Sequence, residues 1–154
     1  MHVDLGCAGR FRGDINIDMV PLPGAPGAIG CYLGFERIPL EDNMADKVSA
    51  HCFIEHVPFY IYLNKAGEKY SPMKFLFYEV TRILKLGGIF LIEVPQTPST
   101  AVWQDPSHVS FWTKFTAPYL VGPQIWEDKN IGELELIQNK EIDVAFLEII
   151  FRKK

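Results

Sequence analysis

Three groups of residues in this chain have types and an order that suit chemistry. The first is Asp4-Leu5-Gly6-Cys7-Ala8-Gly9, a glycine-containing turn that ends a short apolar run, followed by Asp18 at the end of the next run. Glycine lets a backbone approach a ligand closely, and a carboxylate at a neighbouring strand end can accept hydrogen bonds from both hydroxyls of a ribose. Asp4, Gly6, Cys7, Gly9 and Asp18 are therefore candidate contacts for a nucleoside-containing cofactor. The second group is His51-Cys52-Phe53-Ile54-Glu55-His56. Its histidines are spaced wrongly for HExxH and its Glu is misplaced, so the spacing predicts no metal there. Glu55 instead suits the first turn of a helix, where the dipole favours an acid. The third is Asp105-Pro106-Ser107-His108. A histidine beside an acid can take a proton from a hydroxyl or amine nucleophile. The same four residues equally read as a turn in which Asp105 accepts local backbone bonds. Trp103, Phe111, Trp112 and Phe115 around them wall a pocket or fill a core.

The elements that must position these groups are legible from Gly and Pro punctuation between apolar runs. Residues 2–5 and 14–18 read as short strands, 28–33 as a weak third and 46–52 as a fourth with alternating character. Over 72–86 the apolar residues Leu76, Phe77, Val80, Ile83 and Leu84 recur on one helical face, with Pro72 in the first turn. Gly87-Gly88 reads as the stop of that helix, with Lys85 at the negative end of its dipole. The run 89–94 is almost wholly apolar, as for a strand covered on both faces. A long polar and aromatic loop spans 96–112, a short helix is expected near 113–121, and 134–140 with 144–151 form a terminal hairpin. Strands alternating with helices and then a hairpin predict an α/β sheet, mostly parallel with an antiparallel end.

Bulk properties bound the rest. A chain of 154 residues is one domain, 1–154. Its 48% hydrophobic and 13% aromatic content excludes a disordered chain. A net charge of −4 gives no electrostatic footprint for nucleic acid, and Arg10, Arg12 and the Arg152-Lys153-Lys154 tail read as solvated cations. Cys7, Cys31 and Cys52 are odd in number and widely spaced, which reads as buried thiols in a reducing compartment. No secretory leader and no membrane-length apolar run is recognisable. These features predict a cytoplasmic protein.

The stretches DLGCAG (4–9), NID (16–18), PLEDNMADKVSAHCFIEHV (39–57), YEVTRILKLGGIFLIEVP (78–95) and DPSHVSFWT (105–113) resemble, in order, the class I S-adenosylmethionine-dependent methyltransferases of the methyltransferase type 11 sort. The resemblance implies a Rossmann-like fold, S-adenosylmethionine as cofactor, and methyl transfer to a small molecule, sugar or lipid. It places Asp4, Gly6 and Gly9 along the methionine end of the cofactor and Asp18 on the ribose. His51 falls at the end of the fourth strand, against the transferable methyl, and His108 or His51 is the candidate base. The chain departs from the family in four ways. Ala8 stands where a third glycine is usual, and Cys31 or its neighbours where an acid near the adenine is common. Residues 7–14 are too few for the helix that normally follows the glycine turn, and no helix precedes the first strand. The expected fold is thus reduced at its N-terminus, and its cofactor site is either open or closed by a second copy or a partner chain. Two rivals remain: a catalytically inactive methyltransferase-like binding or scaffold module, and an NAD enzyme. DLGCAG lacks the G-x-G-x-x-G spacing that the latter needs.

Overall fold

The structure, a computed structural model, describes residues 1–21, 23–121 and 133–154. In chain order its elements are β1 (His2–Leu5), β2 (Ile15–Asp18), β3 (Ala28–Gly30), β4 (Ala45–His51), β5 (Ile61–Tyr62), β6 (Lys69–Tyr70), α1 (Pro72–Ile83), β7 (Leu84–Pro95), α2 (Thr100–Trp103), α3 (Thr116–Val121), β8 (Leu134–Glu141) and β9 (Phe146–Lys153). A one-turn 3₁₀ helix occupies Ile54–His56. Seven strands form one sheet in the order β3-β2-β1-β4-β7-β9-β8, while β5 and β6 make a separate hairpin. β1, β2, β3, β4 and β7 run parallel, and β9 is antiparallel to both β7 and β8. No helix of the described residues is long and apolar enough to cross a membrane.

α1 begins where the sequence places it. Ser71 caps it by accepting from the Lys74 amide at 3.1 Å, and Pro72 fills the first turn. Its buried face, Met73, Leu76, Phe77, Val80 and Ile83, packs on the sheet, where Phe77 meets Phe90 and Phe151 edge-on at 5.5 and 5.6 Å. The helix ends earlier than the glycine signal suggests. Leu84 is already extended and opens β7, so Gly87 and Gly88 lie inside the strand. They serve a bulge: Ala45 pairs with Leu84, but Lys47 pairs with Ile89. Gly87 takes φ +77°, and a Cβ on Gly88 would stand 2.9 Å from the Lys85 carbonyl. Lys85 binds Asp46 at 2.8 Å instead of completing the helix end.

The two faces of the sheet differ. Phe90, Ile92 and Val94 of β7 are fully buried, together with Val48 and Ala50 of β4 and Leu147, Ile149 and Phe151 of β9. The alternate residues Ile89, Leu91 and Glu93 are only half-buried, as are Lys47, Glu148 and Ile150 beside them. The apolar run 89–94 therefore reads as two-sided in sequence but is fully covered on one face only. Among the described residues no helix joins β1 to β2 or β2 to β3, so those crossovers add no helical layer.

Arg82, near the end of α1, ties down the segment that leads into β4. Its guanidinium donates to both Glu79 oxygens at 2.9 and 2.7 Å, to the Ile38 and Leu40 carbonyls at 2.8 and 2.7 Å, and to Asp42 at 2.8 Å. Glu79 Oε2 also accepts the Ile38 amide at 2.8 Å.

Candidate functional site

The sheet order reverses between β1 and β4: from β1 the chain steps outward to β2 and β3, and from β4 it steps the other way to β7. In an open α/β sheet the crevice outside the carboxyl ends at such a point is where ligands bind. The predicted cofactor contacts of the glycine turn and Asp18 are brought together there. β1 ends at Leu5 and enters a turn in which Gly6 and Gly9 take φ of +63° and +82° and Ala8 takes +41°. Asp18, at the end of β2, receives the Ala8 amide at 2.9 Å, the Met19 amide at 2.7 Å and the Cys7 thiol at 3.9 Å. The strand-end acid thus organises the glycine turn and retains acceptor capacity.

Asp4 is fully buried. Its Oδ1 accepts from Ser49 at 2.6 Å, and Ser49 Oγ lies 2.8 Å from His2 Nε2, which makes a polar line across β1 and β4. Asp4 Oδ2 is buried with no hydrogen-bond partner, and the Arg12 guanidinium stays 3.9 Å away. Such an orphaned acceptor calls for a donor. Gly6 has a further role that the sequence does not announce: a Cβ there would sit 2.2 Å from the Phe53 ring, because Phe53 lies directly over the turn.

His51 ends β4 opposite Glu93, with Nδ1 3.5 Å from that carboxylate. Cys52 follows with φ +49° and is exposed, unlike the buried Cys7 and Cys31; burial of its sulfur against Glu55 and Glu93 still pushes its thiol up to about 11.

The candidates Asp105 and His108 do not join His51; no hydrogen bond or ion pair connects them among the described residues. Instead the DPSH loop is fastened to the 3₁₀ turn. The Val109 and Ser110 amides donate to the Glu55 carbonyl at 2.8 and 3.0 Å, Ser110 Oγ donates to the Ile54 carbonyl at 3.0 Å, and Trp112 Nε1 donates to Ser110 Oγ at 3.1 Å. Asp105 caps its own turn, as the second of its two sequence readings has it. Its Oδ1 accepts from the Ser107 amide and hydroxyl at 2.8 and 2.6 Å, which holds its carboxyl below the usual range, while Oδ2 lies 4.0 Å from His108 Nε2. His108 Nε2 is closer, at 3.8 Å, to Glu55. Burial pushes the Glu55 carboxyl up to about 7. The structural reading of Glu55 as an ordinary helix-start acid misses this neighbour, which comes from a loop far along the chain.

Two cavities flank this junction. One, of about 200 Å³, is lined by Cys52, Glu55, His56, Asp105, His108 and Phe146 among others. The other, of about 370 Å³, is apolar and is walled by Phe59, Tyr60, Thr113, Phe115, Tyr119 and Leu120. The four aromatics of the loop divide accordingly. Trp112 is fully buried in the core, whereas Trp103 and Phe111 stack on each other at 4.9 Å and, like Phe115, stay exposed.

No protein-family model matches the sequence, and no curated protein does. Solved structures match over nearly the whole chain. A SAM dependent methyltransferase from Archaeoglobus fulgidus is 15% identical with a TM-score of 0.64, covering 99% of this chain and 85% of its own. The Burkholderia thailandensis 1,6-didemethyltoxoflavin-N1-methyltransferase, solved with S-adenosylhomocysteine, is 14% identical with a TM-score of 0.60, covering 99% and 71%. The chain has the Rossmann-like fold of the class I methyltransferases. A further neighbour with this class I fold is the [4+2]-cyclase SpnF, at 12% identity and a TM-score of 0.60, covering 99% and 73%. Fold likeness at these identities leaves the reaction to be argued from the site.

Proposed function

We propose that this chain binds S-adenosylmethionine at the β1/β4 crevice and transfers its methyl group to a small-molecule, sugar or lipid acceptor. The observation that carries the reading is the convergence of the glycine turn, Asp18 and the orphaned Asp4 oxygen at the reversal of the sheet. Asp4 Oδ2 fits an ammonium donor, which the methionine moiety carries, and Asp18 fits a ribose diol. Gly6, Cys7 and Gly9 form the backbone wall between them. Phe53 fits less well, since it covers Gly6, and it must swing aside for a ligand to lie along the turn. When bound, the cofactor would supply an electrophilic methyl, so the protein's share is to position the acceptor and exclude water. His51, at the end of β4, and His108, beside Asp105, are the groups proposed to take a proton from a hydroxyl or amine acceptor. The apolar cavity at Phe59, Phe115 and Tyr119 suits the hydrophobic part of such an acceptor. Three free thiols support a reducing, cytoplasmic setting.

The second reading is a catalytically inactive methyltransferase-like module that binds or scaffolds, completed by a second copy or a partner chain. The observation that favours it is Phe53 seated on Gly6 while Asp18 spends hydrogen bonds on its own turn. Isothermal titration with S-adenosylmethionine and S-adenosylhomocysteine, with NAD as control, separates the two. Micromolar binding of the first two is expected, and Asp18→Ala should weaken it by about 1.5–3 kcal/mol, the range for hydrogen bonds to a charged group. A folded parent that binds neither ligand overturns the methyltransferase reading, and an Asp18→Ala variant that binds like the parent overturns the ribose role.

A further inference from the structure

The junction of the 3₁₀ turn with the DPSH loop holds more than a proton relay requires. Glu55 is 2% exposed, and its Oε2 is buried with no hydrogen-bond partner. The Oε1 atom lies 3.8 Å from His108 Nε2. His108 Nδ1 donates to the Val102 carbonyl at 2.8 Å, which turns Nε2 toward Glu55. His56 packs its ring edge-to-face on His108 at 4.8 Å, and its Nδ1 is held by Ser107, 3.1 Å from the hydroxyl and 3.3 Å from the carbonyl. One ligand atom from each of Glu55, His56 and His108 falls within 4.8 Å of the other two. The Asp105 carboxylate, 4.0 Å from His108, adds negative charge at the rim.

We propose that Glu55, His56 and His108 bind a divalent transition-metal ion of the zinc type. Glu55 thus offers one buried oxygen with no donor and a second that faces the His108 imidazole across 3.8 Å without a hydrogen bond, a pair of donors that a cation can bridge. Two imidazoles and one carboxylate are the donor set of a site that keeps a coordination position open, whereas closed structural sites use four protein ligands. The carbonyl on His108 Nδ1 and the Ser107 contact on His56 are the outer contacts that orient metal-bound imidazoles. All three side chains line the cavity of about 200 Å³ beside Cys52 and Phe146, which would leave room for a further ligand on a bound ion. An acceptor hydroxyl coordinated there would be held and acidified as a Lewis-acid ligand. That last step rests on the methyltransferase reading, whereas the metal site does not; with both His108 nitrogens engaged, His51 is the group left to take the acceptor's proton.

The test uses the untagged full chain, stripped with a chelator, titrated with Zn²⁺ by calorimetry and with Co²⁺ by visible absorption. One ion per chain is expected, with Co²⁺ bands of low coordination number. His108→Ala and Glu55→Gln should each weaken binding by about 100-fold, since loss of even an outer partner costs 10–100-fold. Cys52→Ser should leave binding unchanged. Zn²⁺ should raise the thermal midpoint of the parent but not of His108→Ala. If His108→Ala does not fold by circular dichroism, the near-isosteric Glu55→Gln carries the comparison. The proposal is overturned by a folded parent that binds no ion, by undiminished binding in both Glu55→Gln and a folded His108→Ala, or by binding that falls with Cys52→Ser and survives His108→Ala. Metal binding without S-adenosylmethionine binding would sink the methyltransferase reading alone; the reverse result would sink the metal site alone.

Discussion

Arg82→Ala is expected to cost the fold about 3–5 kcal/mol, the penalty for breaking a buried ion pair. The side chain is 10% exposed and Glu79 3%, so the substitution leaves a buried carboxylate facing empty space. It also strips donors from the Ile38 and Leu40 carbonyls and frees the segment that feeds β4. Against a total stability of about 5–15 kcal/mol for an ordinary domain, that loss is large. Urea unfolding should show a lower midpoint with little change in slope. Replacing both partners, as in Arg82→Met with Glu79→Leu, should recover only the part due to the unpaired buried charge, because the Ile38 amide and the Ile38 and Leu40 carbonyls still lose their partners. A single variant as stable as the parent would refute the account.

Gly6→Ala should be the most damaging change at the crevice, at about 2–5 kcal/mol. About 1–2 kcal/mol comes from a side chain at φ +63°. Another 1–3 kcal/mol comes from overpacking, since the new Cβ would stand 2.2 Å from the Phe53 ring and 2.6 Å from its Cβ, which cannot rotate away. Adding Phe53→Gly, which removes the Cβ together with the ring, should return the second part and leave the first, so thermal denaturation of the four proteins in the cycle should show a coupling of about 1–3 kcal/mol. Strict additivity would mean that Phe53 does not rest on the turn. The Phe53→Gly single variant should also open the turn, and its S-adenosylmethionine affinity should equal or exceed that of the parent.

Much of this architecture is legible in the residues themselves. Short runs ending in glycine or an acid mark β1 and β2, and the Ser71-Pro72 start with its apolar spacing marks α1. The strand after α1 is legible too, but its coverage is not: a run such as Ile89-Phe90-Leu91-Ile92 has no polar residue to say which face is open. Gly87-Gly88 is ambiguous for a related reason, because positive φ serves a helix stop and a bulge alike. At the crevice, Asp18 and the glycines are recognisable as strand-end chemistry. Phe53 is not, since its contact with Gly6 depends on the left-handed turn at Cys52. Glu55 and His56 show no metal spacing because their third partner, His108, arrives from another loop. The link between them is backbone: the Val109 and Ser110 amides on the Glu55 carbonyl, which side-chain patterns do not report.

The helix-free links of the first three strands also set an order of assembly. Val3 and Ile15 pair across 12 residues, and so do Ile17 and Ile29, whereas His2 and Lys47 pair across 45 and Lys47 and Ile89 across 42. Closing the shorter loops costs about 1.2 kcal/mol less chain entropy each. The strands β1, β2 and β3 thus form a local unit, and β4 with β7 a distant one, joined along the edge where β1 meets β4. The candidate cofactor crevice lies on that seam, so opening the seam can widen the crevice without disturbing the pairings on either side.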